Sequence, residues 1–146
     1  MIRYQFCEIF AMAEVIDSSV AIKWFVEEEG RQAALDVLSR VIANPEEFYV
    51  PELFYFELAH VLNKMIDQQA PQRALYEHVL EFGINRMPMS SELFFVVSHF
   101  QTLGLSGYDA SYVALAKAIS GTWLTFDAKA HKKIEHLQLS RCLVGS

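Results

Sequence analysis

Four acidic residues stand where carboxylates can do chemistry: Asp17, Glu57, Asp109 and Asp127. Asp17 closes the short β-branched run "EVID", and Asp127 closes "TWLTFD". Each precedes a stretch with helical spacing, so each also has an ordinary reading as a helix N-cap. Asp109 sits in "SGYDA", where Ser106 and the acid three residues on have the spacing of a capping box. Glu57 caps nothing, because it lies inside a helical pattern at the margin of an apolar stripe, between Leu53 and Val61. An acid beside core residues needs a partner, and Lys64 on the same side is one candidate. Gathered at one site, four carboxylates repel. Two charges about 4 Å apart cost about 4 kcal/mol at an effective dielectric near 20. Either one of them keeps a proton or a cation joins them. The matching cation for an all-oxygen donor set is a hard divalent ion, Mg²⁺ or Mn²⁺. No cysteine or histidine cluster is present to select zinc.

The elements that must position these acids follow from the hydrophobic periodicity. Residues 14–18 read as a buried strand, 20–29 as a helix ended by Gly30, and 31–43 as a second helix broken by Asn44-Pro45. "FYVP" (48–51) reads as the next strand, followed by a helix over 52–67 and another from Pro71 to about Asn85. "RMPMS" (86–90) is a weak strand, because Pro88 lies inside it. Helices are expected over 92–104, 108–120 and 128–137, with strands at 122–127 and 139–144. Alternating strands and helices predict a three-layer α/β/α fold around a central, mostly parallel sheet of 4–5 strands. In such sheets ligands bind beyond the carboxyl ends of the strands. Asp17 and Asp127 share that edge.

Composition bounds the rest. The chain has 146 residues, 53% of them hydrophobic, which suits one globular domain. Met12 is a natural start for a domain opening on its first strand. That sets residues 1–13 apart as an N-terminal extension and leaves 14–146 as a single domain. No apolar run reaches the roughly 18 residues that span a bilayer, and Glu8 spoils the N-terminus as a signal peptide. The two cysteines, Cys7 and Cys142, form no metal or disulfide pattern, so reduced thiols in a cytoplasm are expected. A net charge of −6 argues against a passive nucleic-acid binder with a basic face. It fits either an acidic site that recruits cations or an ordinary solvated surface.

The stretches "VIDSSVAIKWFVEEEG", "VPELFYFELAHVL" and "LGLSGYDASYVALAKAISGTWLTFDAKAHKK" together resemble the PIN-domain ribonucleases. Within that family the chain resembles most the VapC-type toxins of prokaryotic toxin–antitoxin pairs, over about residues 14 to 137. The resemblance implies a metal-dependent endoribonuclease that cleaves RNA phosphodiester bonds with one or two Mg²⁺ or Mn²⁺ ions. It places the family's acidic quartet on Asp17, Glu57, Asp109 and Asp127, with Glu52 as a second candidate for the helix acid. The family's hydroxyl positions fall on Ser19, in preference to Ser18, and on Thr125. A small antitoxin partner and a homodimer are implied as well. Lys129, Lys132 and Lys133, in "KAHKK" beside Asp127, would meet the RNA backbone or else form a solvated helix face. Lys23 is open to the same two readings. Trp24 and Phe25 read as core or partner contacts rather than stacking platforms.

Other classes remain open at this point. A PIN nuclease with a housekeeping role in RNA processing would share every residue named above. A catalytically silent RNA- or protein-binding module would keep the fold without turnover, although four retained acids argue against it. A phospho-receiver domain needs an acidic pair near the first strand and a late strand-end lysine. Here those places offer only Asp17 and Asp127.

Overall fold

Parallel strands cannot be joined by tight hairpins, so each must be followed by a crossover that returns the chain across the sheet. The computed structural model, which describes residues 13–65 and 70–145, has this construction throughout. Strands β1 (Glu14–Ile16), β2 (Phe48–Pro51), β3 (Asn85–Met87), β4 (Thr122–Thr125) and β5 (Ser140–Cys142) form one sheet in the order β3-β2-β1-β4-β5. All four strand pairings are parallel. Helices α1 (Ser18–Phe25), α2 (Arg31–Ala43), α3 (Leu53–Met65), α4 (Ala70–Glu81), α5 (Ser91–Gln101), α6 (Gly107–Ala118) and α7 (Ala128–Ile134) complete the three-layer α/β/α architecture. The sheet is thus at the upper end of the expected strand number and parallel in full. The extension expected over residues 1–13 lies, apart from Ala13, outside the described residues.

A parallel sheet is covered on both faces, so its central strands must be apolar on both. Val15 and Ile16 of β1 and Trp123 and Leu124 of β4 are all fully buried. Helix α6 is buried at every position from Ala110 to Ala116, pressed between α5 and strands β1, β2 and β4. Its small residues allow that close approach. On the other side α1 packs against α2, α3 and β4. At the amino end of β1, buried Glu14 pairs with Arg40 of α2 and with Arg141 of β5, the latter at 3.3 Å.

Several element ends differ from the sequence reading, each for a local reason. The first helix spans 18–25 instead of 20–29, because Asp17 caps it and the chain then turns through exposed Glu27–Glu29. Lys23 closes that turn by donating to Glu28 at 2.9 Å and to the Glu29 carbonyl at 2.7 Å. Strand β3 stops at Met87, immediately before Pro88, which has no N–H to continue a ladder. It begins at Asn85, whose side chain donates to the Glu46 and Phe48 carbonyls. The expected strand over 122–127 ends at Thr125, because Asp127 leaves the ladder to cap α7.

The start of β4 admits little change. Ser120 takes a left-handed conformation (φ 54°) to turn the chain out of α6. A Cβ on the following Gly121 would lie 2.6 Å from the Ala13 carbonyl oxygen. That oxygen accepts the Thr122 N–H at 3.2 Å as β1 and β4 come together, so it cannot retreat without breaking the pairing. Gly121→Ala is expected to lower the unfolding free energy by about 1–3 kcal/mol in urea titrations. An unchanged midpoint would show that this sheet corner yields.

Candidate active site

The chain leaves β1 for β2 and β3 on one side and returns to β4 and β5 on the other. The switch in strand order therefore lies between β1 and β4. Asp17 follows β1 and Asp127 follows β4, so the topology brings both to this point. The Asp17 N–H donates to the Leu124 carbonyl at 3.0 Å and holds the two strand ends together.

Hydroxyls finish the junction. Asp17 Oδ2 accepts the Ser19 N–H at 3.2 Å, which caps α1, and also a short bond from the Ser19 hydroxyl. Thr125 Oγ1 donates to the same oxygen at 3.2 Å. Ser19 Oγ in turn accepts the Phe126 N–H at 3.1 Å, and Thr125 Oγ1 accepts the Asp127 N–H at 3.0 Å. Asp127 Oδ1 accepts the Ala130 N–H at 2.9 Å and caps α7. Asp109, in the first turn of α6, donates its N–H to Ser106 Oγ at 3.1 Å, the cap its spacing predicts.

Glu57 is not paired with Lys64, whose side chain is exposed. Its Oε1 accepts the Tyr112 hydroxyl at 2.7 Å and the Ser18 hydroxyl at 3.4 Å. Both serines after Asp17 thus serve the site, Ser19 on Asp17 and Ser18 on Glu57. No local sequence signal points to Tyr112 as a site residue beyond its place three residues after Asp109, which puts it on the same face of α6. Glu52, the second candidate for the helix acid, is bound instead by Arg86, at 3.2 and 2.8 Å.

The acids sense one another. Asp17 is only 6% exposed. Burial pushes its pKa up from 3.8 to about 6; hydrogen bonds from Ser19 oppose the rise, and the charges of Asp109 and Glu57 add to it. Asp109 is raised too, first by burial and then by Asp127, with Ser106 and Lys133 pulling the other way. The four carboxylates form a run of coupled like charges. Among the described residues, no three Asp, Glu, His or Cys side chains are close enough to clasp an ion as they stand. The donors are nevertheless of the right kind. They are hard oxygens, and at Asp17 and Asp109 the setting disfavours the ionised form unless positive charge arrives.

An open cleft of about 400 Å³ adjoins the acids, lined by residues that include Asp109, Asp127, Lys129 and Lys133. Lys133 Nζ donates to the Gly104 carbonyl at 2.8 Å. Lys132 is exposed and is not among the lining residues. Lys23 is occupied elsewhere, between Glu28 and the ring of Phe126, whose centroid is 4.6 Å from Nζ. Trp24 is core, donating to the Ala34 carbonyl at 2.8 Å, and half-buried Phe25 packs against that core.

Comparison with known proteins agrees with the fold. Residues 15–137 match the family model of the PIN domain. No curated protein sequence matches the chain. Among solved structures, a toxin–antitoxin complex from Klebsiella pneumoniae is similar with a TM-score of 0.66 at 16% identity, covering 90% of this chain and 98% of that one. A protein from Pyrobaculum aerophilum is similar with a TM-score of 0.64 at 20% identity, covering 91% and 88%. FitAcB from Neisseria gonorrhoeae gives 0.60 at 16% identity, covering 84% and 93%.

The electrostatics of Asp17 have a measurable consequence for the metal-free protein. Its carboxyl has a folded-state pKa near 6, above the unfolded 3.8. The native state therefore holds the proton more tightly. The stabilisation this gives is full below the unfolded pKa and is lost as pH rises through about 6, amounting to about 3 kcal/mol. In EDTA, Asp17→Asn should unfold at a higher urea midpoint than the parent at pH 8, with the difference shrinking towards pH 4. A difference that does not vary with pH would contradict the assignment.

Proposed function

The chain belongs to the PIN-domain family, and from that premise we propose that it is a metal-dependent endoribonuclease. PIN domains are generally nucleases. The observation that carries the reading is the meeting of Asp17 and Asp127 at the β1–β4 switch, coupled through Asp109 to Glu57. We assign Asp17, Asp109, Asp127 and Glu57 as the holders of Mg²⁺ or Mn²⁺. Such an ion, when bound, supplies Lewis acidity at a phosphoryl oxygen and offsets the charge of the carboxylates. Ser19 and Thr125 fix the orientation of Asp17, so that its position does not depend on the substrate. Glu57 is the carboxylate placed to orient or deprotonate an attacking water, because its hydrogen bonds leave it with acceptor capacity. Lys129 and Lys133 line the cleft beside Asp109 and Asp127 and would hold backbone phosphates. Lys132 stands outside it and would contribute only long-range attraction.

The biological reading that fits best is a VapC-type toxin restrained by a small antitoxin. A toxin–antitoxin complex is among the similar folds. Phe56, Phe94, Phe95 and Tyr108 are large apolar side chains left exposed, surface that a partner or a second copy would cover. Among the described residues no helix is long and apolar enough to cross a membrane.

Single-stranded RNA incubated with the purified chain should be cut in Mg²⁺ or Mn²⁺ and left intact in EDTA. Asp17→Asn should reduce the rate about 100-fold or more. Cleavage that survives in EDTA or in Asp17→Asn would refute the assigned site. Metal-loaded protein that binds RNA without cutting any RNA supplied would favour the silent binding module.

A second expectation concerns the cleft. For a catalytically inactive background, the slope of log affinity for single-stranded RNA against log salt should become shallower by about 0.7 on Lys129→Ala. Lys132→Ala should alter it less. Equal effects from the two lysines would remove the cleft from the RNA path.

A further inference from the structure

Tyr112 is almost fully buried, and its ring stacks on Trp123 of β4 with centroids 6.2 Å apart and planes 18° from parallel. Its hydroxyl reaches Glu57 Oε1 at 2.7 Å, where the Ser18 hydroxyl also donates at 3.4 Å. Ring and hydroxyl therefore have separable jobs. The stack fixes the phenol, and the phenol fixes the carboxylate. An ionised carboxylate only accepts, so in the 2.7 Å contact with Glu57 the phenol is the donor. The hydroxyl keeps its proton and remains a donor. A group in that state is neither base nor nucleophile; what it can do is orient a neighbour.

The terminal torsion of a glutamate is soft and roughly two-fold, so an untethered carboxylate exchanges its oxygens freely. Two donors converging on one oxygen remove that freedom. Among the described residues no hydrogen bond falls on Oε2. We infer that Tyr112 is a positioning residue whose hydroxyl, with that of Ser18, pins Glu57 Oε1 and leaves Oε2 as the oxygen offered to the divalent cation. This rests on the metal-site reading proposed above and goes beyond it by naming what holds the mid-helix acid in place. Partners that orient a ligand from behind are commonly worth 10–100-fold in metal affinity.

Mn²⁺ binding, followed by electron paramagnetic resonance on the purified chain, tests this without reliance on turnover. Tyr112→Phe keeps the ring and the stack and removes only the donor. It should weaken Mn²⁺ binding about 10-fold. In a Glu57→Gln background the same substitution should add no loss beyond measurement error, because the carboxylate it orients is gone. Ser18→Ala, at a partly exposed site, should give a smaller loss in the same direction. It also serves as the test if Tyr112→Phe does not fold. Parental affinity in a folded Tyr112→Phe, or in Ser18→Ala should that variant alone fold, would overturn the inference. So would a Tyr112→Phe loss of equal size with and without the Glu57 carboxylate. A parent chain that binds no Mn²⁺ would instead sink the metal-site reading itself, and the inference with it.

Discussion

Everything at the β1–β4 junction is arranged around one carboxylate that has been taken out of water. Asp17 loses most of its hydration, and the donors that replace water are Ser19, through both its N–H and its hydroxyl, and Thr125. Those donors are themselves held by the backbone that follows β4, since Ser19 accepts from Phe126 and Thr125 accepts from Asp127. The groups that solvate Asp17 are therefore the groups that shape the end of β4. The replacement is incomplete, as the raised pKa of Asp17 records. A site built this way is fixed in place by the fold and left short of positive charge.

Capping and ion binding look like rival explanations for a strand-end aspartate, but the structure shows them to be compatible. The bonds to Asp17 fall on Oδ2, and the cap made by Asp127 uses Oδ1. Each carboxylate has a second oxygen to offer. A helix N-terminus also carries partial positive charge, which offsets part of the cost of an anion there. A capping acid at the carboxyl edge of a parallel sheet is consequently both well placed and partly compensated. That is a physical reason for a metal-binding acid to occupy a cap.

The parts legible in the sequence were those with local causes. Periodicity located the strands and helices, and the ends of "EVID" and "TWLTFD" located two of the four acids. The Ser106 cap on Asp109 was legible for the same reason. Partners distant in sequence were not legible. Tyr112 lies 55 residues from Glu57, and no spacing rule connects them. Lys64, two helical turns beyond Glu57 on the same side of the helix, was the local candidate, and the Tyr112 phenol takes that place instead. Arg86 removes Glu52 from contention across 34 residues of sequence, again through tertiary packing alone. The lysines were a partial case. Three- and four-residue spacings both keep a helix face, so spacing alone does not separate Lys132 from Lys129 and Lys133; the cleft does, lined by the latter two and not by Lys132.

Charge balance connects the acidic composition to the proposed chemistry. Asp109 and Asp127 line the cleft together with Lys129 and Lys133, so its immediate walls are close to neutral. Asp17 and Glu57, coupled to Asp109, add two further negative charges behind that wall. When all four acids ionise, four negative charges face two positive ones, an excess that a single divalent cation would cancel. A polyanion approaching the cation-free protein would meet that excess, and the protein's overall charge of −6 would not relieve it. Partial protonation of Asp17 is the other way to remove charge, and it surrenders the ligand. On the proposed reading, then, the ion that Asp17 would hold is also what would let a phosphodiester approach an acidic surface. Binding and chemistry would depend on the same buried carboxylate.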